Sequence, residues 1–275
     1  MRNERKKPTL FFIIPAFLIT IIFISPNPVL AGNYEDGVSA YRAGEHDKAI
    51  DLLKKAGDQG HTQAQYYLSI LFEGASGVDR DTAASFHWLK MAAEGGMVEA
   101  QRNLAAFYHD GIDDPDDDIN QAIYWYRRTA NQGDLSGQLN LGILLDQESN
   151  SARDHREAIR WYLLAARHGV AQAQFNLGLM HDRGRSTPVN PDKALTWINK
   201  AAELRYPEAM FTLGLKYDQG QGVEQDFIAA YKWFLLADLN GHPSAAMHRK
   251  ATVVKLTPEL ISVAENLADE WLNNH

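Results

Sequence analysis

Carboxylates are the side chains best placed to do chemistry in this chain. The run Asp113-Asp114-Pro115-Asp116-Asp117-Asp118 supplies hard oxygen ligands, and Asp114, Asp116, Asp118 and Asn120 fall at positions 1, 3, 5 and 7 of an EF-hand calcium loop. The same register puts Ile119 at position 6, where that loop turns on glycine, and Trp125 at position 12, where it takes a bidentate glutamate. The run is read as a solvated acidic turn, and no metal site is assigned. Ten histidines are scattered, with no i, i+4 pair and no H-E-x-x-H. G-x-S-x-G, a P-loop and S-x-x-K are all missing, and Gly220-x-Gly222 lies in a turn between helices rather than after a strand. These motifs assign no catalytic residue and no cofactor.

What the residue types do specify is a repeat. Trp88, Trp125, Trp161, Trp197 and Trp233 are spaced 37, 36, 36 and 36 residues apart. Ala64, Ala100, Gly137, Ala173, Ala209 and Ala246 follow at 36, 37, 36, 36 and 37. Self-similarity at this period marks stacked helical hairpins, none of which can bury its apolar face alone. Each unit opens on a helix such as 173–179 and crosses a turn such as Gly220-Gln221-Gly222-Val223. It continues in a second helix, such as 192–204, that carries the tryptophan and an alanine pair. Gly60, Gly96, Gly133, Gly169 and Gly241 follow the second helices, where a residue at positive φ ends a helix. The tryptophans are predicted to be core. Gly142, Gly178 and Gly214 share one helical slot, and because glycine costs about 1 kcal/mol there relative to alanine, a steric reason is predicted. The expected units are 34–61, 62–97, 98–134, 135–170, 171–206 and 207–243. A C-terminal cap, 244–275, has Thr257 capping a helix that Pro258 begins, and Trp271 closes it.

Ala209, Leu213-Gly214, Tyr217, Gly220, Gly222-Val223, Asp226, Ala230, Trp233 and Gly241 resemble the pattern of the Sel-one-like repeat family, relatives of the tetratricopeptide repeat. The resemblance covers residues 34–243. Asp238 replaces the second alanine, Gln147-Glu148-Ser149-Asn150 replaces the turn glycines of the fourth unit, and the third unit has the lengthened acidic turn. The resemblance implies an all-α fold, a right-handed α/α superhelical solenoid. It also implies a non-catalytic protein-interaction scaffold or regulator, of a family whose bacterial members are often periplasmic. Cysteine-rich relatives described as binding or hydrolysing β-lactams supply the alternative, an enzyme, although this chain has no cysteine.

In the tetratricopeptide geometry, first-helix side chains line a concave groove. Carried over, the positions two past each small-residue marker are Tyr66, Arg102, Leu139, Phe175, Phe211 and His248. Ile70, Ala106, Ile143, Leu179 and Leu215 lie further along, and Glu73, His109, Asp146, Asp182 and Asp218 stand near the helix ends. The expected site is an apolar and aromatic floor with an acidic border, suited to an extended peptide or amphipathic helix bearing basic residues. Burial of the same side chains by superhelical curvature is the competing expectation.

Net charge is −8, and removal of residues 1–31 leaves 23 basic against 34 acidic groups. A surface that acidic repels nucleic acid and anionic lipid. Arg2, Arg5, Lys6 and Lys7 precede the apolar run 10–24, and Val29-Leu30-Ala31 is small at positions −3 and −1 of a cut before Gly32. That pattern predicts a cleaved secretory signal peptide over 1–31, a periplasmic or secreted product and no stable membrane anchor afterwards. The expected partner is a protein or peptide.

Overall fold

Small residues and short turns let each hairpin close on the next. In the computed structural model, residues 28–75, 77–110, 115–147, 151–185 and 187–275 are described, with backbone alone for 28–31 and 115–117. Among the described residues there are fourteen helices and no strand. They pair in order: α1 (Pro28–Arg42) with α2 (His46–Asp58), α3 (Thr62–Phe72) with α4 (Thr82–Glu94), and α5 (Val98–His109) with α6 (Pro115–Asn131). Then come α7 (Leu135–Gln147) with α8 (Ala152–Arg167), α9 (Ala171–Arg183) with α10 (Pro191–Glu203), and α11 (Pro207–Gln219) with α12 (Phe227–Leu239). Each second helix also packs on the first helix of the next unit, which makes an all-α solenoid. α13 (Ala245–Val253) and α14 (Pro258–Asn274) pack on α12, with the Trp271 and Trp233 rings 5.9 Å apart.

The glycine slot has the predicted steric reason. A β-carbon at Gly142 would sit 2.7 Å from the Tyr162 ring, at Gly178 2.7 Å from Ile198, and at Gly214 2.5 Å from the Phe234 ring. Those partners identify the deepest position of the second helix, which is the residue after the tryptophan. Leu89, Tyr126, Tyr162, Ile198 and Phe234 are all buried. Trp88, Trp125 and Trp233 are buried too, but Trp161 and Trp197 are only half-buried. This corrects the expectation that all five repeat tryptophans are core.

A glutamine ladder joins the units. The Nε2 groups of Gln65, Gln101, Gln138 and Gln174 donate to the carbonyls of Gly57, Ala93, Ala130 and Ala166 at 2.8, 3.0, 3.4 and 3.1 Å. Each adds a second hydrogen bond to a carbonyl at the preceding helix end, which also accepts from the amide of the glycine that follows the helix, Gly60, Gly96, Gly133 or Gly169. The glycines just past the second helices lie at positive φ, and in the fifth unit Arg205 takes that slot at φ 58°.

Two boundaries differ from expectation. The acidic run is a helix start rather than a turn: α6 begins at Pro115, whose fixed φ suits the first helical position, and acidic residues there oppose the helix dipole. Asp118 is buried, and Asp113 and Asp114 lie outside the described residues. α1 starts at Pro28, upstream of the expected Tyr34. The apolar run 10–24 lies outside the described residues, and Ala31 falls where only the backbone is described.

Candidate functional site

First helices of successive units lie side by side, and polar contacts across them show it. Asn103 Nδ2 on α5 donates to the Tyr66 hydroxyl on α3 at 3.0 Å, and Lys216 Nζ on α11 donates to Asp182 Oδ1 on α9 at 2.7 Å. The side chains expected to form the floor occupy this surface. Tyr66, Arg102, Leu139, Phe175 and Phe211 are half-buried, as are Ile70, Ala106, Ile143, Leu179 and Leu215. The strip is therefore packed from below and beside, yet keeps a solvent-facing edge along its length.

The individual positions differ in how firmly they are held. Leu139 packs against the central hydrophobic cluster. Arg102 Nη1 pairs with Asp134 Oδ2 at 2.9 Å, and the other oxygen of that carboxylate accepts from the Gly137 amide at 2.6 Å as a helix cap. Phe175 lies 5.4 Å from the Tyr206 ring. Phe211 stacks on His242 at 4.0 Å and 14°, and meets His248 edge-on at 5.0 Å. Burial pushes the His242 imidazole below its ordinary pKa, with His248 adding to the effect and Glu208 opposing it.

The aspartate row is a set of inter-unit ion pairs. Asp146 Oδ1 pairs with Arg185 at 2.8 Å, Asp182 Oδ1 with Lys216 at 2.7 Å and Asp218 Oδ1 with Lys255 at 2.6 Å. Glu73 faces Arg80 at 3.8 Å. Lys216 is the deepest of these cations, its side chain 6% exposed against 33% for Asp182. The border is acidic in sequence but largely neutralised in place.

Sequence reasoning passed over two elements of this surface. Asn103, Asn140 and Asn176 repeat one residue beyond the floor positions, at spacings of 37 and 36. They hydrogen-bond Tyr66, Tyr126 and Tyr162 respectively. Burial pushes the Tyr126 phenol up to about 12 and raises Tyr162 as well, so both stay neutral at any physiological pH. The periodicity of these asparagines was available as a signal. The cations Arg185, Lys216 and Lys255 stand 12, 7 and 9 residues past their markers and leave no periodic trace. Among the described residues, no three His, Asp or Glu side chains gather in a metal-binding arrangement, and no helix is long and apolar enough to cross a membrane.

The Sel1 repeat matches six successive segments, 30–61, 62–97, 98–134, 135–170, 171–206 and 207–242. Among solved structures, a protective antigen present in uropathogenic Escherichia coli strains and displaying an SLR fold is 29% identical, with a TM-score of 0.72 over 89% of this chain and 53% of that one. A Sel1 repeat protein from Oxalobacter formigenes is 26% identical, with a TM-score of 0.68 over 87% of this chain and 97% of the other. Curated relatives include the exopolysaccharide production negative regulator of Rhizobium meliloti, 28% identical over 43% of this chain and 49% of that protein. The DAP3-binding cell death enhancer 1 of Rattus norvegicus is 30% identical over 38% of this chain. The match spans only 20% of that enhancer's length, so the likeness is one of repeats rather than of whole proteins. With the repeat matched in tandem from residue 30 to residue 242, the chain belongs to the Sel1-repeat family.

Proposed function

We propose that this protein is a non-catalytic scaffold or regulator of the bacterial envelope that binds a segment of a partner protein along its first-helix strip. The observation that carries the reading is the row Tyr66, Leu139, Phe175 and Phe211, broken in register only by Arg102, half-buried in every case and held by the core or by neighbouring rings. A row held this way is preorganised, so a partner segment that lies on it orders few side chains of the scaffold. Sel1-repeat proteins act in general as interaction scaffolds and regulators, and the relatives' names point the same way. Because Asp146, Asp182 and Asp218 already hold cations and the Asn103, Asn140 and Asn176 amides already hold tyrosine hydroxyls, discrimination along the strip rests on apolar contacts. The net charge of −8 supplies only a general attraction for basic partners. The envelope location rests on the leader-like pattern of residues 2–31.

The test is affinity capture from the native envelope with wild type, Leu139→Glu and Phe175→Glu. The proposal expects one protein to be enriched by wild type and depleted at least tenfold by either variant, with helicity unchanged. Equal recovery by all three would remove the strip from the account. Incubation with a chromogenic cephalosporin addresses the enzyme alternative, and catalytic turnover would overturn the non-catalytic reading.

A further inference from the structure

The second helices carry a surface that the first-helix strip does not use. On α8, Arg153, Arg156 and Arg160 recur at i, i+3 and i+7 and so share one helix face. All three side chains are exposed, and no described residue pairs with them. The carboxylate in their midst is already engaged. Glu157 Oε1 accepts from Arg127 Nε at 3.1 Å, from Arg127 Nη2 at 2.9 Å and from Trp161 Nε1 at 3.2 Å. The three arginines border an open cleft of about 840 Å³ whose apolar wall is Ile159, Trp161 and Leu164. Leu164 is 40% exposed. One unit earlier, Tyr124, Trp125 and Arg128 border a second cleft of about 450 Å³ together with Lys90 and Glu94 of α4, and the slots equivalent to Arg153 and Arg156 are Asp117 and Asn120, so the arginine row is confined to α8.

In a chain of net charge −8, this is positive charge with which no carboxylate among the described residues forms an ion pair. Like charges on one helix face repel each other, and a negative occupant relieves that repulsion. We infer that the α8 cleft docks an extended acidic segment of a partner protein that carries one apolar side chain. Carboxylates two residues apart in an extended chain stand about 7 Å apart, close to the spacing of successive arginines on one helix face. Each guanidinium can take a carboxylate through paired N–H donors. The apolar side chain enters against Trp161 and Leu164, whose exposed surface it covers. This docking is independent of the first-helix strip, whose floor residues lie on α3, α5, α7, α9 and α11.

Selection from a random peptide library displayed on phage, against the purified chain, tests the inference. The expected binders carry spaced Asp or Glu around a Leu, Ile or Phe. As synthetic peptides they lose at least tenfold in affinity for Arg156→Glu/Arg160→Glu and weaken as salt is raised. Phe175→Glu leaves their affinity within twofold. Both arginines are exposed, so the double variant keeps its helicity. Binders without acidic residues, or binders indifferent to the double reversal, would overturn the inference. So would the failure to select any peptide while phosphatidylglycerol vesicles bind with the same arginine dependence, which would assign the cleft to lipid.

Discussion

Two adjacent residues in the middle of the array give opposite expectations, and the comparison tests the packing account. Tyr162 is 1% exposed, its ring lies over Gly142, and its hydroxyl is hydrogen-bonded to Asn176 of the next unit. Trp161, one residue earlier, is half-buried and borders the α8 cleft. Truncating a fully buried aromatic side chain costs about 3–5 kcal/mol, so Tyr162→Ala belongs in that range. Trp161→Ala removes a side chain that keeps part of its surface in water, and about 2–3 kcal/mol follows from the smaller buried area. With about 2–4 °C per kcal/mol for a domain of this size, Tyr162→Ala lowers the melting temperature by about 6–20 °C. Trp161→Ala lowers it by about 4–12 °C on the same scale. Because a solenoid is coupled only through neighbours, Tyr162→Ala also broadens the transition as the units before and after α8 separate. Circular dichroism at 222 nm with urea and thermal ramps reads both quantities. A larger loss for Trp161→Ala than for Tyr162→Ala would refute the register in which the residue after the tryptophan is the deepest.

Three further outcomes follow from the same packing. Gly214→Ala gains helix propensity worth about 1 kcal/mol but places a methyl 2.5 Å from the buried Phe234 ring. Overpacking costs about 1–3 kcal/mol, so urea denaturation shows a net loss, and a net gain would mean that Phe234 can move aside. Arg205→Gly relieves a left-handed residue at φ 58° and gives up one exposed hydrogen bond to the Leu272 carbonyl, 3.3 Å. It raises stability by about 0.5–1 kcal/mol in the same assay, and a loss would contradict the φ assignment. The His61, His181 and His242 imidazoles are all lowered from 6.5 by burial, so the unfolded chain takes up protons first as pH falls. Stability is full above about 6.5, declines as pH falls through that value and levels off below the folded pKa values. His242→Phe shrinks the decline, and an unchanged profile would remove His242 from the set.

The repeat was legible because tryptophan and small residues recur in identity, and identity is what a single sequence displays. The deepest slot was not legible in the same way, since Leu89, Tyr126, Tyr162, Ile198 and Phe234 share burial but not type. The glycine slot at Gly142, Gly178 and Gly214 pointed to a close contact without naming its partner, because the partner lies across the hairpin. The start of α6 was misjudged because six residues rich in aspartate look like a turn until Pro115 is recognised as a first helical residue. The strip residues Tyr66, Leu139, Phe175 and Phe211 could be placed by analogy of register. Their half-buried state depends on side chains 31 residues further along the chain, Tyr206 for Phe175 and His242 for Phe211, which no local pattern specifies. The ion pairs of Asp146, Asp182 and Asp218 escaped notice for the same reason, their cations sitting at unequal offsets in the following unit.

The central claim is that a partner protein lies along the first-helix strip. Site-specific photo-crosslinking in the native envelope tests it most directly, with probes at Leu139 and Phe175 on the strip and a control probe at Leu239, 61% exposed at the end of α12. The account predicts one discrete adduct, with the same partner at both strip positions and none at Leu239. Adducts at Leu239 with none at Leu139 or Phe175 would contradict it.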